Sequence, residues 1–176
     1  MGINETLTEY LRNVLKVLQE GQIEYALAGG LAFSALVEPR ATMDIDLLIM
    51  IQEKPVQDFF RLLEKHFESL FIHKEPMQFS MIKIWRAVSF KNNTELMLDF
   101  LLAESQFHRN VLDRAIELDF LGTTLKVVTL EDLILLKKCA NRSQDIVDIE
   151  NIYVSFDDEL DHDYVEYWSK ELDIRH

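Results

Sequence analysis

Residues 23–51 read IEYALAGGLAFSALVEPRATMDIDLLIMI, and this stretch decides the fold. Its first part, 23–28, is short and apolar and predicts a strand that ends at a glycine pair, Gly29–Gly30. The apolar, alanine-containing segment 31–37 then predicts a helix entered directly from the glycines. Residues 44–51 are apolar and rich in isoleucine apart from two aspartates near their start, and they predict a second strand. Helices and strands mixed in this way favour an α/β core.

The two aspartates, Asp44 and Asp46, lie two residues apart on the second predicted strand. Side chains at this spacing emerge on the same face of a strand. A third acid, Asp99, interrupts the apolar sequence LMLDFLL in another predicted strand, 95–102. Carboxylates on buried strands are costly to desolvate unless a cation compensates their charge. The acids therefore predict a site for Mg²⁺, with Mn²⁺ as the alternative, because Mg²⁺ binds through carboxylates and phosphate oxygens.

Three converging acids also suit two-metal phosphoryl transfer. In that chemistry Asp44 and Asp46 hold ions that bridge a triphosphate, and Asp99 joins the ion that activates an attacking hydroxyl. The pair Gly29–Gly30 stands between a strand and a helix, where backbone N–H groups form an anion site. A glycine pair alone is a weak signal, since most such pairs are turns, but beside the three acids it becomes a strong one.

The segments 28–32 (AGGLA) and 40–47 (RATMDIDL) resemble the glycine motif and the DxD motif of the polymerase-beta-like nucleotidyltransferases. The resemblance is greatest to the minimal bacterial branch that includes abortive-infection toxins and minimal nucleotidyltransferase antitoxins, and it covers residues 23–102. It implies a nucleotidyltransferase fold and an NTP substrate. In that family the second position of the glycine motif is often Ser, which touches the phosphates. Here the position is Gly30, which keeps the backbone N–H and lacks the hydroxyl.

A looser resemblance extends to the segment 133–142 (LILLKKCANR), which is followed by DIVD at 145–148. These residues are similar to the lysine-then-aspartate helical motif of the toxin-like branch, which implies that Lys137 holds the triphosphate. The two aspartates of the second segment lie three residues apart on one helical face. They predict a salt bridge to Arg142 or Lys138 rather than catalysis.

Other polar residues near the motifs have more than one interpretation. Arg40 and Thr42 flank the DxD motif and could contact phosphate, although Thr42 could also only order the loop. Arg86 neighbours Trp85 on a predicted strand and is expected on an outer solvated face, with phosphate contact as the alternative. The five histidines show no metal-ligand spacing, and no role is assigned to them. The candidate substrate-binding residues are Gly29, Gly30, Arg40 and Lys137, and the candidate catalytic and metal-binding residues are Asp44, Asp46 and Asp99.

The composition describes an acidic chain of 176 residues with a formal net charge of −13. This charge disfavours direct binding of nucleic acid, whose phosphates require a basic surface. Eleven acidic and two basic residues lie between 145 and 176, so a basic pocket elsewhere stays compatible with the total. The single Cys139 rules out an internal disulfide and predicts the reducing cytoplasm. No apolar run is long enough to cross a membrane, and no membrane partner is expected.

The order of the predicted elements favours an α/β (α+β) fold with a mixed β-sheet flanked by helices. A core is expected over residues 1–128, and a helical C-terminal extension, 129–176, is expected to pack on it. The first helix is expected to begin at Thr6, which would cap it. One long strand is expected over 79–90, and a helix is expected over 107–117.

These residues predict a Mg²⁺-dependent enzyme that moves a nucleoside monophosphate from an NTP to a hydroxyl group and releases pyrophosphate. The acceptor could be tRNA, a protein side chain or a small molecule, and a protein partner could supply positive surface. The alternative is an antitoxin-like or regulatory protein that binds the nucleotide with little or no catalysis. The three acids favour the enzyme, whereas Gly30 and the small size favour the binding protein. A structural domain with coincidental acids is the third interpretation.

Overall fold

The computed structural model describes residues 3–42, 44–51, 56–79, 81–91 and 94–174. The described strands are β1 (Glu24–Ala28), β2 (Asp44–Met50), β3 (Leu70–Ile72), β4 (Met77–Phe79), β5 (Ile82–Lys91), β6 (Thr94–Leu102), β7 (Ile116–Phe120) and β8 (Thr123–Val127). The described α-helices are α1 (Ile3–Gly21), α2 (Gly29–Leu36), α3 (Val56–His66), α4 (Gln106–Arg114), α5 (Leu130–Ala140), α6 (Ser143–Phe156) and α7 (His162–Glu171). None of the described helices is long and apolar enough to cross a membrane.

The eight described strands form one mixed sheet. Seven of them follow the order β3-β5-β6-β2-β1-β8-β7, and β4 pairs with β5 outside this path. The pairs β2–β6 and β1–β8 are parallel, and the remaining pairs are antiparallel. A mixed sheet with helices packed against it confirms the predicted fold class.

Helices cover both faces of this sheet. On one face α1 contacts α3, and Phe59 of α3 packs edge-on against Phe100 of β6, with ring centroids 4.9 Å apart. Side chains alternate along β6, so Asp99 points to the opposite face. That face carries a cavity to which α4 and α5 contribute residues, and α6 and α7 contact α5.

Helix α5, which carries Lys137, has a clear signal at each end. The hydroxyl of Thr129 accepts a hydrogen bond from the backbone N–H of Asp132, as an N-cap residue does. Asn141 ends the helix in the left-handed region, with φ of 50°. These two signals fix where α5 begins and ends.

Three predicted elements differ from the structure. The strand expected over 79–90 is two strands, because β4 ends at Phe79 and pairs with the start of β5 in an antiparallel hairpin. The helix expected over 107–117 ends at Arg114, since the following residues pair with β8 and obtain their backbone hydrogen bonds there. The first helix begins at Ile3, so Thr6 is a buried residue within the helix and not its cap.

Candidate functional site

β2 and β6 bring the three predicted acids to one face of the sheet. These strands are parallel neighbours, and their register places Asp46 directly beside Asp99. Asp44 lies two residues before Asp46 and shares its face. Asp99 is buried, whereas the other two acids are half-buried. The three predicted catalytic residues therefore lie on adjacent strands of one sheet face.

Gly29 lies against the side chain of Asp46 where β1 meets α2. Its backbone is in the left-handed region, and a Cβ atom there would lie 1.9 Å from Oδ2 of Asp46. The backbone N–H of Gly30 donates a hydrogen bond to the same carboxylate. Asp46 thus caps the N-terminus of α2, where a negative charge interacts favourably with the helix dipole. Only glycine permits this approach at position 29.

The acid pair on β2 is not fully compensated by positive charge. Burial, followed by the charges of Asp99 and Asp44, raises the pKa of Asp46 to about 7. Burial and then the charge of Asp99 also raise the pKa of Asp44. The positive charge of Arg142 opposes both shifts without cancelling them. A divalent cation between these carboxylates would supply the missing charge.

Asp99 is paired with Arg86 of the neighbouring strand. Nε of Arg86 donates to Oδ1 of Asp99 at 2.7 Å, and Nη2 donates to Oδ2 at 2.6 Å. These hydrogen bonds raise the pKa of Arg86 above its ordinary value. The adjacent Trp85 packs on Phe60 of α3, with ring centroids 4.8 Å apart, so Arg86 faces the acids. The position expected for Arg86 on an outer solvated face is wrong.

Arg40 fills the space that a side chain at position 30 would need. A Cβ atom on Gly30 would lie 2.6 Å from Nη2 of Arg40. Nη1 lies 3.5 Å from Oδ2 of Asp148, whereas Nε is buried and has no hydrogen-bond partner among the described residues. The Ser34 hydroxyl donates to the Arg40 carbonyl and accepts from its N–H, which holds the loop to α2. Thr42 orders the loop by accepting a hydrogen bond from the first N–H of β2.

Lys137 is buried on α5 between two acids of α6. Its Nζ lies 2.5 Å from Oδ2 of Asp148 and 3.4 Å from Oδ1 of Asp145. Nε of Arg142 lies 2.7 Å from Oδ2 of Asp145, as predicted, while Lys137 takes the place predicted for Lys138. An ammonium group has three N–H donors, so two carboxylates leave one donor for a ligand.

A cavity of about 310 Å³ opens beside the acids, between the sheet and α5. This volume is at the lower end of the range for small-molecule sites, about 300–1,000 Å³. His108 of α4 lines the cavity, although the sequence indicated no role for it. The charged and glycine residues that line it are Gly29, Asp46, Arg86, Asp99, Lys137, Arg142 and Asp145.

The donor set fits a Mg²⁺ ion that is shared with phosphate oxygens. Asp44 and Asp46 offer carboxylate oxygens, and Mg²⁺ is commonly held by one or two carboxylates together with substrate phosphates. Within the described residues, no group of three His, Cys, Asp or Glu side chains could hold a metal ion by itself. Both oxygens of Asp99 are engaged by Arg86. The residues therefore suit an ion that arrives with a nucleotide.

Solved structures show where this fold occurs elsewhere. The solution structure of the antibiotic-resistance factor ANT(2'')-Ia is similar with a TM-score of 0.60 at 14% identity, over 86% of this chain and 85% of that chain. The crystal structure of ANT(2'')-Ia in complex with adenylyl-2''-tobramycin is similar with a TM-score of 0.59 at 16% identity, over 95% of this chain and 97% of that chain. JHP933 from Helicobacter pylori gives 0.53 at 15% identity, over 89% of this chain and 67% of that one. At these identities the likeness shows the fold alone.

A family model shows the class of protein. No curated protein matches the chain by sequence at a significant level. The model of the family described as "Nucleotidyl transferase of unknown function (DUF2204)" matches residues 7–173, which is nearly the whole chain. The chain therefore belongs to this family of nucleotidyl transferases, enzymes that transfer a nucleoside monophosphate from a nucleotide to an acceptor.

Proposed function

We propose that this chain uses Mg²⁺, or Mn²⁺, to transfer a nucleoside monophosphate from an NTP to a hydroxyl-bearing acceptor. The observation that carries the proposal is the register of β2 and β6, which sets Asp46 beside Asp99 at the cavity. Phosphoryl transfer needs positioning and charge stabilisation more than covalent chemistry from the protein. Acids on adjacent strands, with cationic side chains nearby, suit both requirements.

The triphosphate is proposed to bind at the N-terminus of α2, with Gly29–Gly30, Arg40 and Lys137. A helix N-terminus favours negative charge, and the Arg40 guanidinium lies where a side chain at position 30 would be, so it is placed to bind a phosphate there. Two groups are donors for phosphate oxygens: Nε of Arg40, which has no hydrogen-bond partner in the described part of the chain, and the third N–H of Lys137. The family that the motifs resemble often has Ser at the position of Gly30. Arg40 fills the space of that side chain here, so we propose that its guanidinium contacts the phosphates in place of the Ser hydroxyl.

The three acids have different proposed roles. Asp44 and Asp46 would hold the cation on the triphosphate, and Asp99 would face the acceptor. When bound, a cation would neutralise charge on the phosphates, and it would lower the pKa of an acceptor hydroxyl that it contacts. Asp99 accepts the hydroxyl proton while the hydroxyl oxygen bonds to the α-phosphorus and the bond to the leaving pyrophosphate breaks. Each oxygen of Asp99 also accepts a hydrogen bond from Arg86, so protonation of Asp99 in this step would weaken that ion pair.

A second candidate function is an antitoxin-like or regulatory protein that binds the nucleotide and turns over little. The observation that favours it is the same ion pair, because Arg86 occupies the acid that has to accept a proton. The two candidates share the nucleotide site and differ in whether transfer follows binding.

The C-terminal helices contribute residues to the site. We propose that residues 129–176 form a helical extension that completes the site carried by residues 1–128, because Lys137 reaches the cavity from α5.

The single cysteine supports a place in the cytoplasm. The acceptor classes are tRNA, a protein and a small molecule. At a net charge of −13, tRNA would need a protein partner with positive surface.

The experiment is a label-transfer screen. The purified protein is incubated with each α-labelled NTP, Mg²⁺ or Mn²⁺, and a cell lysate, and products are separated after nuclease or protease treatment to identify the acceptor class. A protein with Asp44→Asn and Asp46→Asn is the matched control. Label moved by the parent and not by the control supports the enzyme. Binding of Mg²⁺–NTP without transfer to any acceptor supports the binding protein instead.

A further inference from the structure

The cavity has a charged end and an apolar end, and the strand register separates them. On β5 and β6, Arg86 pairs with Asp99, and two residues further along the strands Ile84 pairs with Leu101. Side chains two residues apart share a face, and all four residues line the cavity. The step between the two pairs is about 7 Å of strand. Apolar surface therefore begins immediately beyond Asp99.

Helix α5 and the β4–β5 hairpin enclose this apolar end. Leu133 and Leu136 line the cavity from α5, on the helix face that also carries Lys137. Phe79 and Met81 line it from the hairpin and remain 50% and 41% exposed. Their exposed apolar surface adjoins the cavity, so a ligand bound in the apolar end would cover part of it.

A bound cation would leave every carboxylate of the cavity engaged. Among the described lining residues they are Asp46, Asp99 and Asp145. Asp99 is bound by Arg86, Asp145 is bound by Lys137, and Asp46 caps α2 and borders the proposed cation position. With that cation bound, a ligand with several positive charges would find no unpaired carboxylate among these residues.

The direction of transfer decides which substrate uses the apolar end. The attacking oxygen and the leaving oxygen lie roughly in line on opposite sides of the phosphorus. With the pyrophosphate at Gly29–Gly30, beside Asp46, the acceptor enters from the far side of the acids. On that side of Asp99 lies the apolar pair Ile84–Leu101.

His108 adds an uncharged polar group to the cavity wall. Its side chain belongs to α4, which follows β6, and the residue is only 3% exposed. Nδ1 has no hydrogen-bond partner among the described residues. Burial lowers the pKa of His108 to about 4, so the ring is neutral at pH 7. A neutral imidazole offers one donor and one acceptor to an uncharged ligand group.

We propose that the acceptor is an uncharged hydroxyl compound with an apolar or aromatic body, and that it binds in the apolar end of the cavity. This inference rests on the proposed transfer function. The hydroxyl faces Asp99, the body packs between the sheet pair Ile84–Leu101 and the α5 leucines, and His108 bonds a second polar group of the ligand. A polycation such as an aminoglycoside does not match these surroundings.

The test measures binding of three probes by NMR: p-cresol, 4-hydroxybenzamide and the polycation tobramycin. Each is titrated into the full chain with and without Mg²⁺ and a non-hydrolysable ATP analogue, whose own affinity is measured first. The two neutral phenols should shift the ring signals of His108 saturably, and tobramycin should not. Failure of the ATP analogue to bind would count against the proposed function, whereas failure of the phenols would overturn only this inference.

Variants locate the phenols in the cavity. Ile84→Trp fills the apolar end and should weaken phenol binding about tenfold or more, about 1.4 kcal/mol, while nucleotide affinity changes less than about twofold. Val154→Trp, at a position of α6 that is 87% exposed, is the matched control and should change neither. Loss of nucleotide affinity in a folded Ile84→Trp would mean that the apolar end holds the base. Tobramycin binding more tightly than the phenols would also overturn the proposal.

A second variant tests the polar contact separately. His108→Phe keeps a ring of similar size and removes both nitrogens. With each phenol followed on the methyl signals of Ile84 and Leu101, the variant should bind 4-hydroxybenzamide about tenfold more weakly, as expected for a lost buried hydrogen bond, and should bind p-cresol as the parent does. Equal affinities of parent and variant for 4-hydroxybenzamide would show that His108 does not bind the ligand. This arm gives an answer even where Ile84→Trp does not fold.

Discussion

Arg86 holds both carboxylate oxygens of Asp99, at 2.7 Å and 2.6 Å, across adjacent strands. The two residues are cross-strand partners, so the register of β5 and β6 sets the ion pair. A bidentate pair of this kind is among the stronger polar contacts in proteins. It balances a buried charge and at the same time occupies the acid proposed to accept the proton of the acceptor hydroxyl.

Replacement of Arg86 by methionine should destabilise the protein because Asp99 is left buried without its partner. We expect a loss of about 2 kcal/mol in the free energy of unfolding, below the full value for a buried pair since Arg86 is partly exposed. Urea denaturation in the presence of EDTA measures this loss. Lys83→Met on the same strand is the control, because the exposed pair of Lys83 with Glu104 should contribute less than about 1 kcal/mol. Equal losses of unfolding free energy in both variants would show that the Arg86–Asp99 pair stabilises the protein no more than an exposed ion pair does.

Gly29→Ala should displace Asp46 and weaken nucleotide binding. The new Cβ would lie 1.9 Å from Oδ2 of Asp46, in addition to the strain of a left-handed backbone at φ of 63°. Gly122→Ala is the matched control, because its φ is 67° but its Cβ would lie 3.6 Å from the nearest side-chain atom. Strain alone should cost each variant about 1–2 kcal/mol of stability. Only Gly29→Ala should also lose Mg²⁺–ATP affinity, measured by calorimetry, and an equal affinity in the two variants would count against the contact.

Gly30→Ala should act through Arg40. A Cβ at this position lies 2.6 Å from Nη2, the far end of a flexible side chain, so the guanidinium moves and the fold survives. We expect ATP affinity to fall about tenfold, the scale of one charge-assisted hydrogen bond, and Arg40→Ala should produce a similar loss. The double variant should be little worse than either single one, because both remove the same contact. Additive losses in this cycle would show that Arg40 does not bind through the space beside Gly30.

His108 should make the protein less stable in acid. Burial lowers its folded pKa to about 4 from the ordinary value of 6.5, so between these values the unfolded chain binds a proton that the folded chain does not. Stability is therefore lost as the pH falls through this window, by up to about 3 kcal/mol. His108→Phe removes this titration, while Glu104, whose charge opposes the shift, remains. Urea midpoints from pH 7.5 to pH 4 should fall less in the variant, and parallel curves would contradict the burial of a neutral ring.

The sequence predicted the parts of the fold and site that depend on local spacing. The DxD pair, Asp44 and Asp46, shares a face because strand side chains alternate, and this holds wherever the strand packs. The mixed sheet followed from the order of apolar segments and from the resemblance of the motifs around Gly29. These inferences needed no knowledge of which strands are neighbours.

The features that the sequence missed depend on strand pairing and on tertiary contact. Arg86 joins the site because β5 pairs with β6. Trp85 and Arg86 are neighbours on opposite faces of the strand, and the sequence does not indicate which of these faces is solvated. The β4–β5 hairpin was missed because no glycine occurs between Met77 and Ile84 to mark the reversal. His108 resembles any histidine of an amphipathic helix, and only the packing of α4 brings it to the cavity.

The most direct measurement of the central claim compares nucleotide binding with label transfer in the parent and in Asp99→Asn. The acid on β6 is proposed to serve the acceptor hydroxyl, whereas Asp44 and Asp46 serve the triphosphate. Asp99→Asn should therefore keep most of the Mg²⁺–NTP affinity and lower transfer by roughly two orders of magnitude or more. The double variant Asp44→Asn, Asp46→Asn should lose both. Equal NTP binding by all three proteins, with no transfer by the parent to any acceptor, would contradict the account.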